Sequence, residues 1–460
     1  MRSKRAKVLH EAGGMALVEH VVEAALAVAP ASRIVVVTGH QAEAVEKTLA
    51  PRGIRFARQS DPQGTGHAVM CARQALEACD PRHSGMLMVL YGDTPLLSAA
   101  TLKRLEETQC TSGAAATLIT TTLDDPTGYG RVVTDGQGNV LAIVEHKAAS
   151  EEQRKIGVIN SGIYCFRTKD LWEHIGKITT NNPAKELYLT DMAEILHRNG
   201  DTVREMHIVD PSELLGINTR VELAEADHIL RARKVQELML SGVTIERPET
   251  VMIDTHVSVG QDTVIEAFAR LSGTTQIGED CRIGQGAILE SATLADRAVI
   301  APYTLVADSA IAADAQVGPF ARLRMHAEVG REARIGNFVE LKNTRMGAGA
   351  KSQHLAYLGD AEIGEKCNIG AGTITCNYDG FHKHPTRIGA GAFVGSNSTL
   401  VAPLEIGAAS YIAAGSVITD GVPAESLALG RARQVSKPDW VRERKKKQQK
   451  GGSSETGAPA

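Results

Sequence analysis

Two clusters in the first half of this chain carry residue types suited to phosphate chemistry. Gln59-Ser-Asp-Pro-Gln-Gly64-Thr65-Gly66-His67-Ala68 is a glycine-rich turn leading into a helical pattern. Exposed amides at a helix start can receive a nucleotide's base edge or phosphates, although a bare Gly-x-Gly is more often a structural turn. Leu90-Tyr91-Gly92-Asp93-Thr94-Pro95 ends an apolar run. Ligands of open α/β sheets bind outside the carboxyl ends of strands, which places Asp93 to hold a metal. One Asp suits Mg²⁺, which takes one or two protein oxygens beside substrate phosphates; a turn that merely ends the strand explains Asp93 equally well. A third group lies where a six-residue rhythm falters, over 340–360 and again over 375–386. Lys342, His354, Tyr357, Asn368, Asn377 and Tyr378 gather in these breaks, and interruptions of a regular pattern point to function. A lone histidine is more often structural, so the residues alone leave His354 open.

The elements that position these groups fall into two textures. Over 1–218, aliphatic runs such as Arg33-Ile-Val-Val-Val-Thr38 and Met86-Leu-Met-Val-Leu-Tyr91 alternate with helical patterns around 15–29 and 66–76. That alternation predicts an open, mostly parallel α/β sheet. Over 219–242, Val221, Ala224, Ile229, Leu230, Leu238 and Met239 recur at helical spacing, as in a helix connecting two domains. From 243 to 438 an apolar residue followed by Gly recurs on a six-residue period, as at Ile277-Gly278, Ile283-Gly284, Ile363-Gly364 and Ile369-Gly370. This is the pattern of a parallel β-helix, each hexad giving a short strand and the Gly a backbone suited to a tight corner. Residues 439–460, basic and then Gly- and Ser-rich, read as a disordered tail.

Composition narrows the class. A 460-residue chain of net charge −4 and 4% aromatic content has room for two or more cores and no basic surface for nucleic acid. No apolar run approaches the roughly 20 residues of a membrane helix. The basic start lacks the apolar stretch of a secretory signal, and the seven cysteines form no CxxC pair. A cytoplasmic protein with reduced thiols is expected.

The clusters also occur in the order of one known family. Lys7-Val-Leu-His10, Gly64-Thr-Gly-His-Ala68, Tyr91-Gly-Asp-Thr-Pro-Leu96, Asp125-Pro-Thr-Gly-Tyr-Gly-Arg131, Val144-Glu-His-Lys147, Ile159-Asn-Ser-Gly-Ile163 and Gly216-Ile-Asn-Thr-Arg220 stand in register ahead of the hexapeptide repeats. Over about 1–440 the chain resembles the bifunctional N-acetylglucosamine-1-phosphate uridyltransferases/glucosamine-1-phosphate acetyltransferases. The resemblance implies a Rossmann-like nucleotidyltransferase domain followed by a left-handed parallel β-helix. In the first, Gln59, Gly64 and Thr65 match uracil-side contacts, and Tyr91, Gly130, Glu145 and Asn160 match sugar contacts. Asp93 and Asn218 match Mg²⁺ ligands, and Lys7 the cation beside the phosphates. In the second, His354 matches the general base and Asn377 the group that positions or polarises the acetyl. Arg324, Lys342, Tyr357, Asn368 and Tyr378 match sugar-phosphate contacts, and Ala371, Ser396, Ala414 and Arg431 the acetyl-CoA side.

The implied function is synthesis of UDP-N-acetylglucosamine for cell-wall and lipopolysaccharide precursors. Acetyl-CoA acetylates glucosamine 1-phosphate, and UTP then uridylylates the resulting N-acetylglucosamine 1-phosphate, in a homotrimer that shares its acetyl-transfer sites between subunits. The chain departs from the family pattern at its start. Met1 aligns with the Met that closes an L-x-x-G-x-G-T-x-M loop, and Ala6 replaces the usual Pro before Lys7. A longer natural chain, begun upstream of Met1, is therefore expected. Taken as printed, the sequence lacks the backbone amides that cradle UTP phosphates and leaves strand edges uncovered. An enzyme that only acetylates is the alternative, and Met325 after Arg324, in place of Pro, is a smaller departure.

Overall fold

A computed structural model describes residues 1–451; the part of the expected tail beyond, 452–460, lies outside the described residues. The chain divides into two compact units. The first comprises Met1–Ser241, Arg247–Val257 and Leu271–Gly273; the second holds the remaining repeats.

In the first unit, the aliphatic runs form the strands Val35–Thr38 and Met86–Val89, and the helical patterns form Leu17–Leu26 and Thr65–Glu77. The main sheet has six strands, with Val158–Arg167 at its centre beside Ala116–Thr122, Arg131–Thr134 and Met86–Val89. Its direction differs from expectation. Val158–Arg167 runs antiparallel to all three of those neighbours, so the sheet is mixed rather than mostly parallel. The cause is local: Arg131–Thr134 and Val140–Val144 form a hairpin whose turn is fixed by Asp135, its carboxylate accepting from the backbone of Gln137 and Asn139. An alternation of strands and helices does not reveal such an inserted hairpin. Tyr164, Phe166, Leu118, Val132 and Trp172 build the largest core cluster on this sheet. Val35–Thr38 pairs only with Arg55–Arg58, and Met86–Val89 only with Val158–Arg167, among the described residues. Val35, Val36 and Val37 are accordingly half-buried.

Arg220–Leu240 is the helix expected near 219–242. Thr219 caps it, its hydroxyl accepting from the Glu222 amide while Glu222 reaches back to the Thr219 amide. Arg231 joins this helix to Asp254 at 2.6 Å. Trp440–Gly451 is also helical, where the sequence predicted disorder. Its charged straight-chain residues favour helix, and Arg444 lies over the Trp440 ring at 5.1 Å.

The second unit is a β-helix with three parallel sheets of eleven, ten and nine short strands. On one sheet Ile277, Leu294, Ile311, Val329, Met346, Ile363, Ile388 and Ile406 pair in succession, each buried beneath the next coil. The repeated glycines do a different job from the one expected. Gly364 is not at positive φ; a Cβ there would stand 2.5 Å from the amide nitrogen of Ala390 on the next coil. The left-handed conformation falls two residues later, on side chains such as Asp280 and Lys366. The repeat glycine thus permits close stacking of coils, and the corner is turned two residues later, by side-chain-bearing residues in some coils and by a second glycine, such as Gly286, Gly349 or Gly391, in others.

Two outward ladders distinguish the surfaces of this unit. Along one sheet Glu328, Arg345, Glu362, Arg387 and Glu405 alternate in sign and pair with one another. At a corner, Tyr303, Phe320 and Phe338 stack with ring centroids 5.4 Å apart, each about half exposed.

Candidate active sites

Within the first unit, the loop after Met86–Val89 delivers Tyr91 and Asp93 to the end of the sheet. The Asp93 carbonyl accepts from the Ile217 amide at 2.9 Å, which brings the 216–218 segment alongside. Lys7 donates to Asp93 Oδ2 and, at 2.9 Å, to Asn218 Oδ1. The carboxylate and the amide oxygen therefore converge on a single cationic group. Asn218 is held in turn by Glu222, whose carboxylate accepts from its backbone amide.

Tyr91 links this corner to the others. Burial pushes its phenol up to about 12, opposed by a hydrogen bond with Thr65, so it stays a proton donor. Gly162 lies under its ring at φ +81°, where a Cβ would fall 1.7 Å from the nearest ring carbon. A Gly162→Val substitution is expected to cost about 2–4 kcal/mol, read as a lowered melting transition of the first unit, by displacing the Tyr91 ring. Asn160 Oδ1 accepts from the Gly162 amide and the Tyr164 hydroxyl, which leaves its Nδ2 free to donate. Its own amide donates to Gly130, where a Cβ would stand 3.2 Å from Ile143 and 3.5 Å from Glu145 Oε1. Burial raises the Glu145 carboxyl above the usual range. Gln59 donates to the Gly64 carbonyl at 3.1 Å, and Gly64, at φ +107°, packs against the backbone of Leu187. Thr65 accepts from the Leu189 amide at 3.0 Å.

The second site is built across successive coils of the β-helix. Arg324, Lys342 and Gly359 are neighbours in register on one sheet, and Asn337 and His354 on another. His354 Nδ1 lies 2.8 Å from Asn337 Oδ1. With that nitrogen donating its proton to Asn337, Nε2 keeps a free lone pair. Arg324 pairs with Glu340 at 2.7 Å. Lys342 is nearly buried and pairs with Asp360 at 3.0 Å. Burial pulls the Lys342 ammonium down, but the Asp360 carboxylate outweighs it and holds it above the ordinary lysine range. Asp360 also accepts from the side-chain amides of Asn377 and Asn343.

The 377–386 loop folds back on itself. The Asp379 carboxylate accepts from the amides of His382 and Phe381 and from His384, which holds it down at about 2. Tyr378 donates to Gly380 within that loop, and Lys383 stands beside Lys342, which pulls its ammonium below the usual value. Tyr357 is half-buried, one coil below Ile374, and Asn368 lies between Lys351 and Phe393. Ala371, Ser396 and Ala414 form one column. A Cβ on Gly370 would meet the Ser396 amide at 2.6 Å, and one on Gly395 the Ala414 amide at 2.5 Å. Arg431 is exposed and follows Gly430, whose carbonyl accepts from the Val417 amide at 3.0 Å.

Several participants escaped the sequence reading: Thr190 beside Glu145, and Asn337, Glu340, Asn343, Asp360 and Lys383 in the second unit. For Asn337 the signal was the coil period itself, since it precedes His354 by one coil. Among the described residues no cluster of three His, Cys, Asp or Glu side chains could hold a metal.

A nucleotidyltransferase-type α/β unit followed by a hexapeptide-repeat acyltransferase β-helix defines a two-activity transferase. The MobA-like NTP transferase domain family matches residues 1–184, and the hexapeptide repeat of succinyl-transferase matches 274–301 and 385–420. The chain is 56% identical to the Bifunctional protein GlmU of Solibacter usitatus (strain Ellin6076), over 97% of this chain and 95% of that one. It is 47% identical to the Bifunctional protein GlmU of Koribacter versatilis (strain Ellin345), over 98% and 96%. It belongs to the GlmU family of enzymes, which make UDP-N-acetylglucosamine through glucosamine-1-phosphate N-acetyltransferase and N-acetylglucosamine-1-phosphate uridyltransferase activities.

Proposed function

We propose that the two activities divide between the two units and run through the residues gathered above. In acetyl transfer, Arg324 and Lys342 take the sugar phosphate with Tyr357, Asn368 and Tyr378 around it. His354 Nε2 removes a proton from the amine as it attacks the thioester carbonyl, CoA leaves as the thiol, and Asn377 donates to the oxygen that gains charge. Ala371, Ser396 and Ala414 offer a small-residue column for the coenzyme, and Arg431 a cation for its phosphates. In uridylyl transfer, Gln59, Gly64 and Thr65 take the uracil side, and Tyr91, Gly130, Glu145 and Asn160 the N-acetylglucosamine. A phosphate oxygen of the sugar attacks the α-phosphorus of UTP and pyrophosphate leaves, while Lys7 neutralises charge on the phosphates. The oxygens of Asp93 and Asn218, already turned on one ammonium, suit Mg²⁺; that ion would neutralise phosphate charge when bound. The observation that carries the reading is the assembly of His354, Asn377, Lys342 and Arg324 on neighbouring coils.

A homotrimer is part of the proposal, supported by the half-exposed Tyr303–Phe320–Phe338 stack, an apolar ridge unlike the self-paired charge ladder. A Phe320→Asp, Phe338→Asp double variant is expected to elute as a monomer by light scattering; a trimer of unchanged mass would remove the ridge from the interface. We place the enzyme in the cytoplasm, where its nucleotide and CoA substrates are made; no helix among the described residues is long and apolar enough to cross a membrane. The test of function uses one preparation. CoA release from acetyl-CoA and glucosamine 1-phosphate, and Mg²⁺-dependent pyrophosphate release from UTP and N-acetylglucosamine 1-phosphate, are both expected. Preference for dTTP or another sugar phosphate would overturn the substrate assignment.

A further inference from the structure

The carboxylate of Asp360 takes three side-chain partners in the acetyl-transfer site, yet it stands one place beyond every group assigned to substrate. Oδ2 accepts from Lys342 Nζ at 3.0 Å and from Asn377 Nδ2, and Oδ1 accepts from Asn343 Nδ2 at 2.7 Å. Its backbone is fixed as well, its amide donating to Lys342 and its carbonyl accepting from Thr386. We propose that Asp360 is a positioning residue for acetyl transfer, setting which way the Asn377 amide faces while holding the phosphate-binding Lys342 in the same network. The proposal rests on the roles given above to Asn377 and Lys342.

The physical reason lies in the asymmetry of the partners. A side-chain amide can present either its oxygen or its nitrogen, whereas an ionised carboxylate only accepts. Facing Asp360, Asn377 must therefore turn Nδ2 toward it. The hydrogen bonds from Asn343, Lys342 and Asn377 outweigh burial and keep the Asp360 carboxyl below the usual carboxylate range, so it remains an acceptor throughout the neutral range. With one Nδ2 hydrogen given to Asp360, the second is left to meet the acetyl oxygen as it becomes an oxyanion. The Asn377 backbone is held independently, its amide on Thr375 and its carbonyl on His384, so the side-chain torsion is what Asp360 decides. The same carboxylate is the counter-ion of the nearly buried Lys342, so binding of the sugar phosphate and orientation of the amide share one group.

Asp360→Asn is nearly isosteric and removes both properties. Two amides facing one another pair in either orientation, so Asn377 is free to flip. In the full chain, D360N is expected to lower kcat for acetyl transfer about 30-fold, with KM for acetyl-CoA unchanged. Uridylyl transfer by the same preparation stays at its parent rate and reports folding. The discriminating measurement is the cycle with Asn377→Ala: in the N377A background, D360N should change kcat by less than about 2-fold, because its route through the amide is gone, while any rise in KM for glucosamine 1-phosphate through Lys342 persists. An undiminished 30-fold loss in that background, or no loss in the parent, overturns the proposal. If N377A alone leaves acetyl transfer at the parent rate, the role given to Asn377 fails instead. Should D360N not fold, Asn343→Ala loosens the carboxylate from its Oδ1 side, and a roughly 5-fold loss confined to the Asn377 background replaces it in the cycle.

Discussion

Replacing His354 by alanine lowers kcat for acetyl transfer by about 10²–10³-fold and leaves uridylyl transfer by the same protein unchanged. The size follows from the task. Glucosamine 1-phosphate attacks through an amine that must lose a proton, and Nε2 of His354 is the ring nitrogen whose lone pair is left free by the bond from Nδ1 to Asn337. Removing Asn337 should therefore act through His354, a smaller loss that vanishes in the H354A background. Imidazole added to H354A restores part of the rate if the missing function is proton transfer; a rate that ignores both the substitution and the added base would return His354 to a structural role. KM for acetyl-CoA should hardly move, since the column of Ala371, Ser396 and Ala414 proposed for the coenzyme is built on other coils.

The second large effect belongs to the other unit. Asp93→Asn is expected to lower uridylyl transfer by about 10²–10⁴-fold while acetyl transfer continues. The substitution keeps the shape and removes the one charge that pairs with Lys7 and that would hold Mg²⁺. Part of the loss should be recovered at high Mg²⁺ if Asp93 serves as a metal ligand, because Asn218 and the remaining amide oxygen still offer weaker donors. A loss that is independent of Mg²⁺ concentration would assign Asp93 to Lys7 alone.

The β-helix was readable because its period is written in the chain. Ile277, Ile363 and Ile388 recur with their glycines, and burial follows them residue by residue. What periodicity does not carry is the reason for the glycine, which lies in the distance between coils and becomes visible only when Gly364 is set against Ala390. The mixed direction of the first sheet escaped for a similar reason: an aliphatic run such as that around Ile163 does not record which way its neighbours run. Candidate site residues could be named where a motif carried them, as with Asp93 and Tyr91. Their supports could not. Asn337 and Asp360 are ordinary polar residues until stacking sets the first one coil from His354 and the second one coil from both Lys342 and Asn377, and brings Asn343 onto Asp360.

That stacking bears on how such a protein can change over generations. Each coil repeats the same close backbone contact with the next, so a stack can gain or lose material only in whole turns if those contacts are to survive. The proposed acetyl-transfer site is staked on consecutive turns: Asn337 to His354 is one step, and Lys342 to Asp360 to Asn377 is two. A duplicated turn inserted below Arg322–Arg324 would lengthen the column and leave the site whole. The same duplication between Asn337 and His354 would part the imidazole from its support while preserving every repeat. Inherited length variation should therefore concentrate in the early turns and avoid this short stretch.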